Sequence, residues 1–336
     1  MKNRLLLLSA SGVLVLSACG GGGSSGNTGG PTPGPVSTLS TITPANSSRA
    51  ASNAYAATAV IGESSATFDG LLTGVSVGRA DIGVVAPVLR LVKQVYARDG
   101  QPLLIGVTMT EACSGGGSIT IDATVRNQDT ASNGDTVKIT ANNCVEDGDT
   151  FNGALSATFS NITGDIVNSS TGTATMDTSF TNFSLRSGSE TLGINGDMKI
   201  AINQTNATSN SVTISGNSLQ TTEQRGGINQ ASRTLTDYSM TGTTRGTTVT
   251  RIASFTMSGS TSALGQFSYS VKNLQPFVSN GADMPGSGSL IVNGASSSVT
   301  LTVASATNVR LDYSAKGDGN ITQTTNLGWN EFLMSI

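Results

Sequence analysis

The sequence predicts a mainly β domain in which a long antiparallel meander curves, as an incomplete barrel, around two N-terminal helices on its concave face. From Leu103 onward, apolar residues alternate with polar ones, which gives a sheet one dry and one wet face. Clusters of Gly, Asn and Asp separate the alternating segments, as tight turns require. A large sheet with one apolar face must cover that face or curl around it. The preceding segment can supply the cover.

Residues 48–100 are predicted to form the two helices. Ala50 to Ile61 is rich in alanine and follows Ser47-Ser48, a pair that suits helix caps. Pro87 suits the first turn of the second helix and Gly100 its end. An apolar stripe at helical spacing, which indicates core packing, lies between them at Val88, Leu89, Val92, Val95 and Tyr96.

About ten to twelve strands follow. The clearest runs from Thr191 to Asn203, with Ile194, Met198 and Ile200 on one face. Triplets of an apolar residue, a small polar residue and glycine recur at irregular intervals, and we interpret their glycines as bulges that let a long sheet curve. Because a repeated motif is also typical of solenoids, a parallel β-helix is the alternative fold. The triplets begin at Phe151, Ile194, Ile214, Met240, Met257 and Val292.

The N-terminus has the features of a secretory signal. Met1-Lys2-Asn3-Arg4 is basic, Leu5 to Leu16 is apolar, and small residues precede Cys19. Leu16-Ser17-Ala18-Cys19 resembles the lipobox of bacterial lipoproteins. The resemblance implies that residues 1–18 are removed and that Cys19 is lipidated. The alternative is an ordinary signal peptide that is cut at Ala18 and leaves Cys19 without a lipid. Gly20 stands where an inner-membrane retention aspartate would stand, which favours the outer membrane.

The predicted organisation therefore has three parts. Residues 1–18 are a signal peptide. Residues 19–47, rich in Gly, Ser and Pro, form a lipid-anchored tether. Residues 48–336 form a single β-rich domain that includes the helices at 48–100.

Composition excludes several kinds of chemistry. The chain has no histidine, so it has no Ser-His or Cys-His pair and no common zinc site. Its net charge is −3, and no basic patch suggests a nucleic-acid partner. We therefore expect neither an enzyme nor a cofactor. A Ser-Lys dyad and a carboxylate-pair glycosidase are the enzymatic alternatives.

Cys113 and Cys144 are predicted to form a disulfide, because an even pair of cysteines in an exported protein is usually oxidised. The crosslink would be worth about 3–4 kcal/mol in the chain-entropy treatment. A metal pair is the alternative, but it lacks further ligands.

Acidic turns are the remaining candidates for metal ligands. One turn offers Asp129, Asn133 and Asp135, with Gly134 placed as in a calcium loop, but Ala131 occupies a ligand position there and no glutamate closes the loop. Tight turns favour these residue types without a metal, so we interpret them as solvated turns. The other candidates are Asp312 with Asp318 and Asn320, and Glu146 with Asp147 and Asp149.

Two stretches resemble uncharacterised exported proteins of proteobacteria. One runs from Cys113-Ser114-Gly115-Gly116-Gly117 through Asn143-Cys144 to Asn152-Gly153, and the other is Gly317-Asp318-Gly319 followed by Trp329. The resemblance implies a class of protein and no activity.

These features together predict a non-catalytic outer-membrane lipoprotein that serves as a structural or protein-interaction module of the cell envelope. It would contact the membrane through its N-terminal lipid and bind an envelope protein or a hydrophobic ligand. A carrier of lipid or of another hydrophobic ligand and a surface adhesin are the alternatives.

Cys19→Ser tests the lipidation site. We expect this variant to incorporate no labelled palmitate and to keep residues 1–18, because cleavage in this class requires the modified cysteine. Palmitate labelling and the mass of the purified protein measure both effects. A variant with Cys113→Ser and Cys144→Ser should keep its label, and labelled Cys19→Ser would contradict the prediction.

Overall fold

The computed structural model describes residues 38–62, 107–126, 131–146, 148–164, 171–206, 208–281 and 284–335. This part of the chain contains one large sheet, a helix that precedes it and a short helix that follows it. The elements are α1 (Ser47–Gly62), β1 (Val107–Ala112), β2 (Ser118–Thr124), β3 (Thr136–Glu146), β4 (Asp149–Gly164), β5 (Gly172–Ser187), β6 (Glu190–Asn206), β7 (Ser209–Arg225), β8 (Ile228–Arg245), β9 (Thr248–Thr261), β10 (Gly265–Asn280), β11 (Ser287–Asn293), β12 (Ser298–Val303), β13 (Asn308–Ser314), β14 (Gln323–Gly328) and α2 (Trp329–Leu333).

The sheet is an open antiparallel meander of fourteen strands. Each strand pairs with its neighbours in the sequence, and β1 and β14 are the two edges. The predicted mainly β meander is confirmed, and the strand predicted at Thr191–Asn203 is β6. The alternative of a parallel β-helix is wrong, because the neighbouring strands pair antiparallel throughout the sheet.

One face of the sheet is apolar, and we call it the inner face. Alternate residues such as Ile194, Met198 and Ile200 are buried on it. The inner face contacts α1 through strands as far apart as β8 and β13. Those strands would lie about 24 Å apart in a flat sheet, whereas a helix is only about 10–12 Å wide. The sheet therefore curves around α1, as predicted.

The alanines of α1 allow this close packing. Ala50, Ala51, Ala54 and Ala57 are buried and belong to the same core as the inner face. Small side chains let a helix approach a sheet closely. The first predicted helix is thus present, whereas the apolar stripe predicted for the second lies outside the described residues. No helix among the described residues is long and apolar enough to cross a membrane.

The packed domain begins earlier in the chain than predicted. Ser40 N donates a hydrogen bond to Ser268 O at 2.8 Å. Ile42 is fully buried, and its N–H donates to Ser297 Oγ at 2.8 Å. Residues 38–46 therefore belong to the β domain, and the predicted tether of residues 19–47 is too long at its C-terminal end.

A series of β-bulges, which we call the bulge line, crosses the sheet from β3 to β8. The register between neighbouring strands shifts along it for every pair from β3 to β9 except β7 with β8. A bulge bends its strand and increases the local twist, so aligned bulges make the whole sheet bend along one line. The members of the line have positive φ angles: Asn143 (46°), Gly153 (88°), Asn182 (48°), Gly196 (117°) and Asp237 (48°).

Two of the predicted triplets build this line. Asn152 Oδ1 accepts a hydrogen bond from Asn143 N at 2.7 Å, and Asn195 Oδ1 accepts one from Asn182 N at 2.6 Å. Each asparagine thus satisfies an N–H that the bulge removes from the ladder. The following glycine permits close approach, since a β-carbon on Gly153 would lie 2.0 Å from Asn182 O. The interpretation of these two glycines as bulge residues is confirmed.

Gly153→Ala tests the bulge line. The added methyl group would collide with the carbonyl of Asn182, so we expect the free energy of unfolding to fall by about 3 kcal/mol in urea denaturation. Gly226→Ala is the matched control, because Gly226 also has a positive φ, at 58°, but a β-carbon there would meet nothing within 4 Å. The control should lose only about 1 kcal/mol. Equal losses would contradict the role of the close approach.

Candidate functional site

A disulfide joins the β1–β2 hairpin to β3. Cys113 and Cys144 are bonded and buried, with their Cα atoms 5.4 Å apart. Their sulfur atoms and a carboxylate oxygen of Glu146 form a group with the spacing of metal ligands, and it is the one such group among the described residues. Because the two sulfurs are bonded to each other, they do not supply thiolate ligands. The predicted pairing is thus present in the structure, and this group is a crosslink.

Glu146 fixes the loop beside this disulfide. Its carboxylate accepts hydrogen bonds from Ser114 Oγ at 2.6 Å and Ser114 N at 2.9 Å. These two bonds hold the pKa of Glu146 below its usual value. The bond from the hydroxyl has the larger effect, and the bond from the N–H has the smaller one. A carboxyl group whose pKa is lower in the folded than in the unfolded protein stabilises the fold at pH values above its unfolded pKa. This stabilisation is lost as the pH falls through the folded pKa. Glu146 therefore has a local structural role.

The first predicted calcium turn is held by its own hydrogen bonds. Asp135 is fully buried and accepts from Arg126 N at 3.0 Å and Ser132 N at 2.8 Å. Asn133 Oδ1 accepts from Ile162 N at 2.8 Å. The prediction of a solvated turn is therefore wrong for Asp135, because its carboxylate is buried and binds backbone N–H groups, which is how such residues shape turns. Asp129, the third candidate of this turn, lies outside the described residues.

Asp312 and Asp318, the second set of candidate metal ligands, are also hydrogen-bonded within the chain. Asp312 is buried, pairs with Arg310 at 2.8 Å and accepts from Thr324 Oγ1 at 2.8 Å. Asp318 accepts from Asn320 N at 3.0 Å, and this bond is the main reason that its pKa is lowered. Within the described ranges, neither carboxylate belongs to a group with metal-ligand spacing.

A buried arginine on the inner face links the sheet to α1. Arg233 of β8 is 2 % exposed. Its Nη1 atom donates to Glu223 on β7, and its Nε atom donates to Asn53 Oδ1 of α1 at 2.7 Å. A buried charge is tolerated when it is paired and hydrogen-bonded. This Arg233 network fixes α1 against β8.

Two polar atoms of α1 beside this network have no partner in the described part of the chain. They are Ser52 Oγ and Asn53 Nδ2, and both residues are fully buried. The Asn53 amide cannot be turned over to improve this, because its oxygen already accepts from Arg233. Buried groups of this kind usually hydrogen-bond to protein or ordered water.

A second set of polar residues lies on the inner face, near the ends of β6 and β8 and the starts of β7 and β9. We call Gln204, Asn210, Thr244 and Arg251 the polar rim. The first three lie opposite one another across β6, β7 and β8, and each is about 5–6 % exposed. Arg251 of β9 is half-buried. Its Nε atom and Thr244 Oγ1 are buried without a hydrogen-bond partner among the described residues.

An aromatic cluster adjoins the polar rim. Phe277 of β10 lies opposite Arg251. The Phe277 ring contacts Tyr55 of α1 edge-on, with ring centres 5.4 Å apart, and Tyr55 contacts Trp329 at 5.1 Å. Trp329 is buried, and its Nε1 atom has no partner in the described ranges. Apolar rings and unpartnered donors thus lie at one end of the inner face.

The sequence carries a signal for both arginines. Arg233 stands between Ala231 and Leu235, in the phase of the apolar residues. Arg251 likewise precedes Ala253 at a spacing of two. A charged residue in the apolar phase of an alternating strand is predicted to point to the dry face of the sheet, so period-two alternation alone identifies both positions.

The comparisons with known proteins give no relative from which to transfer a role. No protein-family model matches the chain, and neither a curated protein nor a solved structure is significantly similar to it. Cys19, the predicted lipidation site, lies outside the described residues.

Arg233→Met tests the link between α1 and the sheet. The change keeps much of the side-chain volume but leaves Glu223 and Asn53 without their donor, so we expect a loss of about 3 kcal/mol in the free energy of unfolding. Arg225→Met is the matched control, because its ion pair with Glu190 is exposed and should be worth at most about 1 kcal/mol. Urea denaturation measures both variants. A loss at Arg233 no larger than that at Arg225 would contradict the role.

Proposed function

We propose that this chain is a lipid-anchored, non-catalytic protein of the bacterial outer membrane whose β domain is an interaction module of the cell envelope. Anchoring at Cys19 is supported by the resemblance of Leu16-Ser17-Ala18-Cys19 to a lipobox. The residues that follow, rich in Gly, Ser and Pro, suit a tether. Such a chain would hold its folded domain close to the membrane.

The observation that carries the interaction role is the face of the sheet opposite the inner face, which we call the outer face. Cross-strand pairs give it a regular polar surface, as in Ser156 with Ser179 at 2.7 Å and Lys199 with Asp177 at 3.1 Å. Hydroxyl and ion pairs of this kind stabilise neighbouring strands. The long strands therefore present a broad, ordered surface on which a partner can dock.

Two exposed apolar side chains interrupt this polar surface at one place. Ile252 of β9 is 47 % exposed and Leu274 of β10 is 51 % exposed. The residues next to them are hydrogen-bonded to each other, from Ala253 N to Asn273 Oδ1 at 2.8 Å. Interfaces typically place a few large apolar residues within a polar surround. We therefore place the contact with an envelope protein at Ile252 and Leu274.

Site-specific crosslinking in cells tests this proposal. A photo-crosslinking amino acid replaces Ile252 in the full-length chain, and we expect adducts of discrete mass after illumination. The control replaces Ile228, which is 68 % exposed and starts β8, and should give no discrete adduct. Combining the Ile252 replacement with Cys19→Ser should reduce the adducts, since the domain is no longer held at the membrane. Equal adducts at both positions would contradict the interface, and adducts unaffected by Cys19→Ser would contradict the anchoring.

A carrier of hydrophobic ligands is the second candidate function. It is favoured by the curvature of the sheet around α1 and by the polar rim, whose donors lie beside apolar and aromatic side chains. Ligand sites commonly combine an apolar lining with a few placed polar groups.

A further inference from the structure

We propose that the polar rim binds the oxyanion of an anionic amphiphile, and that the guanidinium of Arg251 pairs with its carboxylate or phosphate group. The proposal deepens the second candidate function and does not depend on the outer-face interface. It is carried by the charge of Arg251, the unpartnered donors around it and the apolar residues beside them.

The comparison of the two inner-face arginines identifies the charge that lacks a partner. Arg233 is paired with Glu223 and hydrogen-bonded to Asn53. Arg251 lies on the same face of the sheet, but its side chain has neither an ion pair nor a hydrogen bond among the described residues. The Nε atom of this side chain is buried. A donor buried without an acceptor lowers stability, and more so when it carries charge. A bound oxyanion would supply the acceptor and the opposite charge.

Thr244 provides a second donor within reach of the same oxyanion. Gly242 is the residue of β8 opposite Arg251, and Thr244 lies two positions further along the same strand and face. Diagonal neighbours of this kind are about 7–8 Å apart at Cα, within reach of long side chains. The Thr244 hydroxyl is buried and unpartnered in the described ranges. An oxyanion between the two residues could accept from both.

The surroundings of Arg251 specify an amphiphile rather than a small inorganic anion. Its opposite neighbour on β10, Phe277, is buried and continues into the contacts with Tyr55 and Trp329. Met240 and Ala253 are buried on the same face. A ligand whose anionic group reaches Arg251 Nε therefore meets apolar side chains around that group. Val249, which lies opposite Thr244, and Tyr55, which contacts Phe277, are only half-buried. Burial of the hydrocarbon chain against these two side chains adds the hydrophobic contribution.

Titration of the mature chain with dodecyl ligands tests the proposal. The protein is residues 19–336 with Cys19→Ala, so that it carries no acyl chain of its own. Trp329 is the single tryptophan of the chain, so its fluorescence reports on the aromatic cluster. We expect saturable binding of laurate or dodecyl phosphate, weakened about tenfold to a hundredfold by Arg251→Gln, the range typical of a lost charged hydrogen bond. Calorimetry measures the same affinities independently of fluorescence.

Controls separate this site from general hydrophobic binding. Arg245→Gln removes the same charge from an exposed residue next to Thr244 and should leave the affinity unchanged. Dodecanol, which has no charge, should bind wild type and Arg251→Gln alike. Preference for laurate identifies a fatty acid and preference for dodecyl phosphate a phospholipid headgroup, and either result supports the site.

Three results would overturn the proposal. If laurate and dodecyl phosphate each bound Arg251→Gln as tightly as wild type, the Arg251 side chain would only extend to water. Inorganic phosphate that binds as tightly as dodecyl phosphate would show that no amphiphile is recognised. Failure of laurate and dodecyl phosphate to bind wild type at all would exclude the site. Circular dichroism of each variant verifies the fold, because Arg251 makes no described bond that its loss would break.

Discussion

The bulge line is the constraint on which the rest of the structure depends. Strands of 16 to 18 residues, such as β4 and β8, are too long to stay straight in a sheet that curves over its core. Each bulge bends its strand, and the bulges of β3 to β6 are linked because Asn143 and Asn182 each donate to an asparagine of the next strand. Asn152 serves Asn143, and Gly153 leaves room for the carbonyl of Asn182. The bend therefore passes from strand to strand through the long strands, and α1 packs where the line ends, against β8, β9 and β11 to β13.

Curvature in turn determines where polar groups can be placed on the inner face. A sheet that wraps around α1 brings α1 within hydrogen-bonding distance of strand residues, and Asn53 uses this to accept from Arg233. The small side chains of Ala50 and Ala54 allow the approach, and the directional bond adds a preferred position for the helix. Apolar packing alone tolerates rearrangement, whereas a buried polar contact favours one arrangement. The Arg233 network is therefore part of the fold.

Sequence reasoning could predict the parts of the fold that depend on periodicity. Alternation in β6 specified an antiparallel sheet with one apolar face, and the Asn-Gly triplets indicated bulges. The strand number was underestimated, because β14 (Gln323–Gly328) has almost no apolar alternation. The start of the domain was missed, because residues 38–42 supply a single buried apolar side chain, Ile42, and otherwise pack through hydrogen bonds, which leave no periodic signal. The roles of Asp135 and Asp312 also required coordinates, since a turn carboxylate that binds backbone or a side chain has the same sequence as one that binds calcium.

The arginines show why a buried charge should be judged by its partners and not by its position alone. Arg233 and Arg251 both stand at positions where the alternation of β8 and β9 places apolar residues, so the sequence pattern does not distinguish them. One is satisfied by a carboxylate and an amide from two other elements, and folding alone explains its presence. The other has a buried donor without a described acceptor, beside Thr244 in the same condition. An oxyanion bound from outside would supply both the acceptor that Arg251 Nε lacks among the described residues and the charge that Glu223 supplies to Arg233.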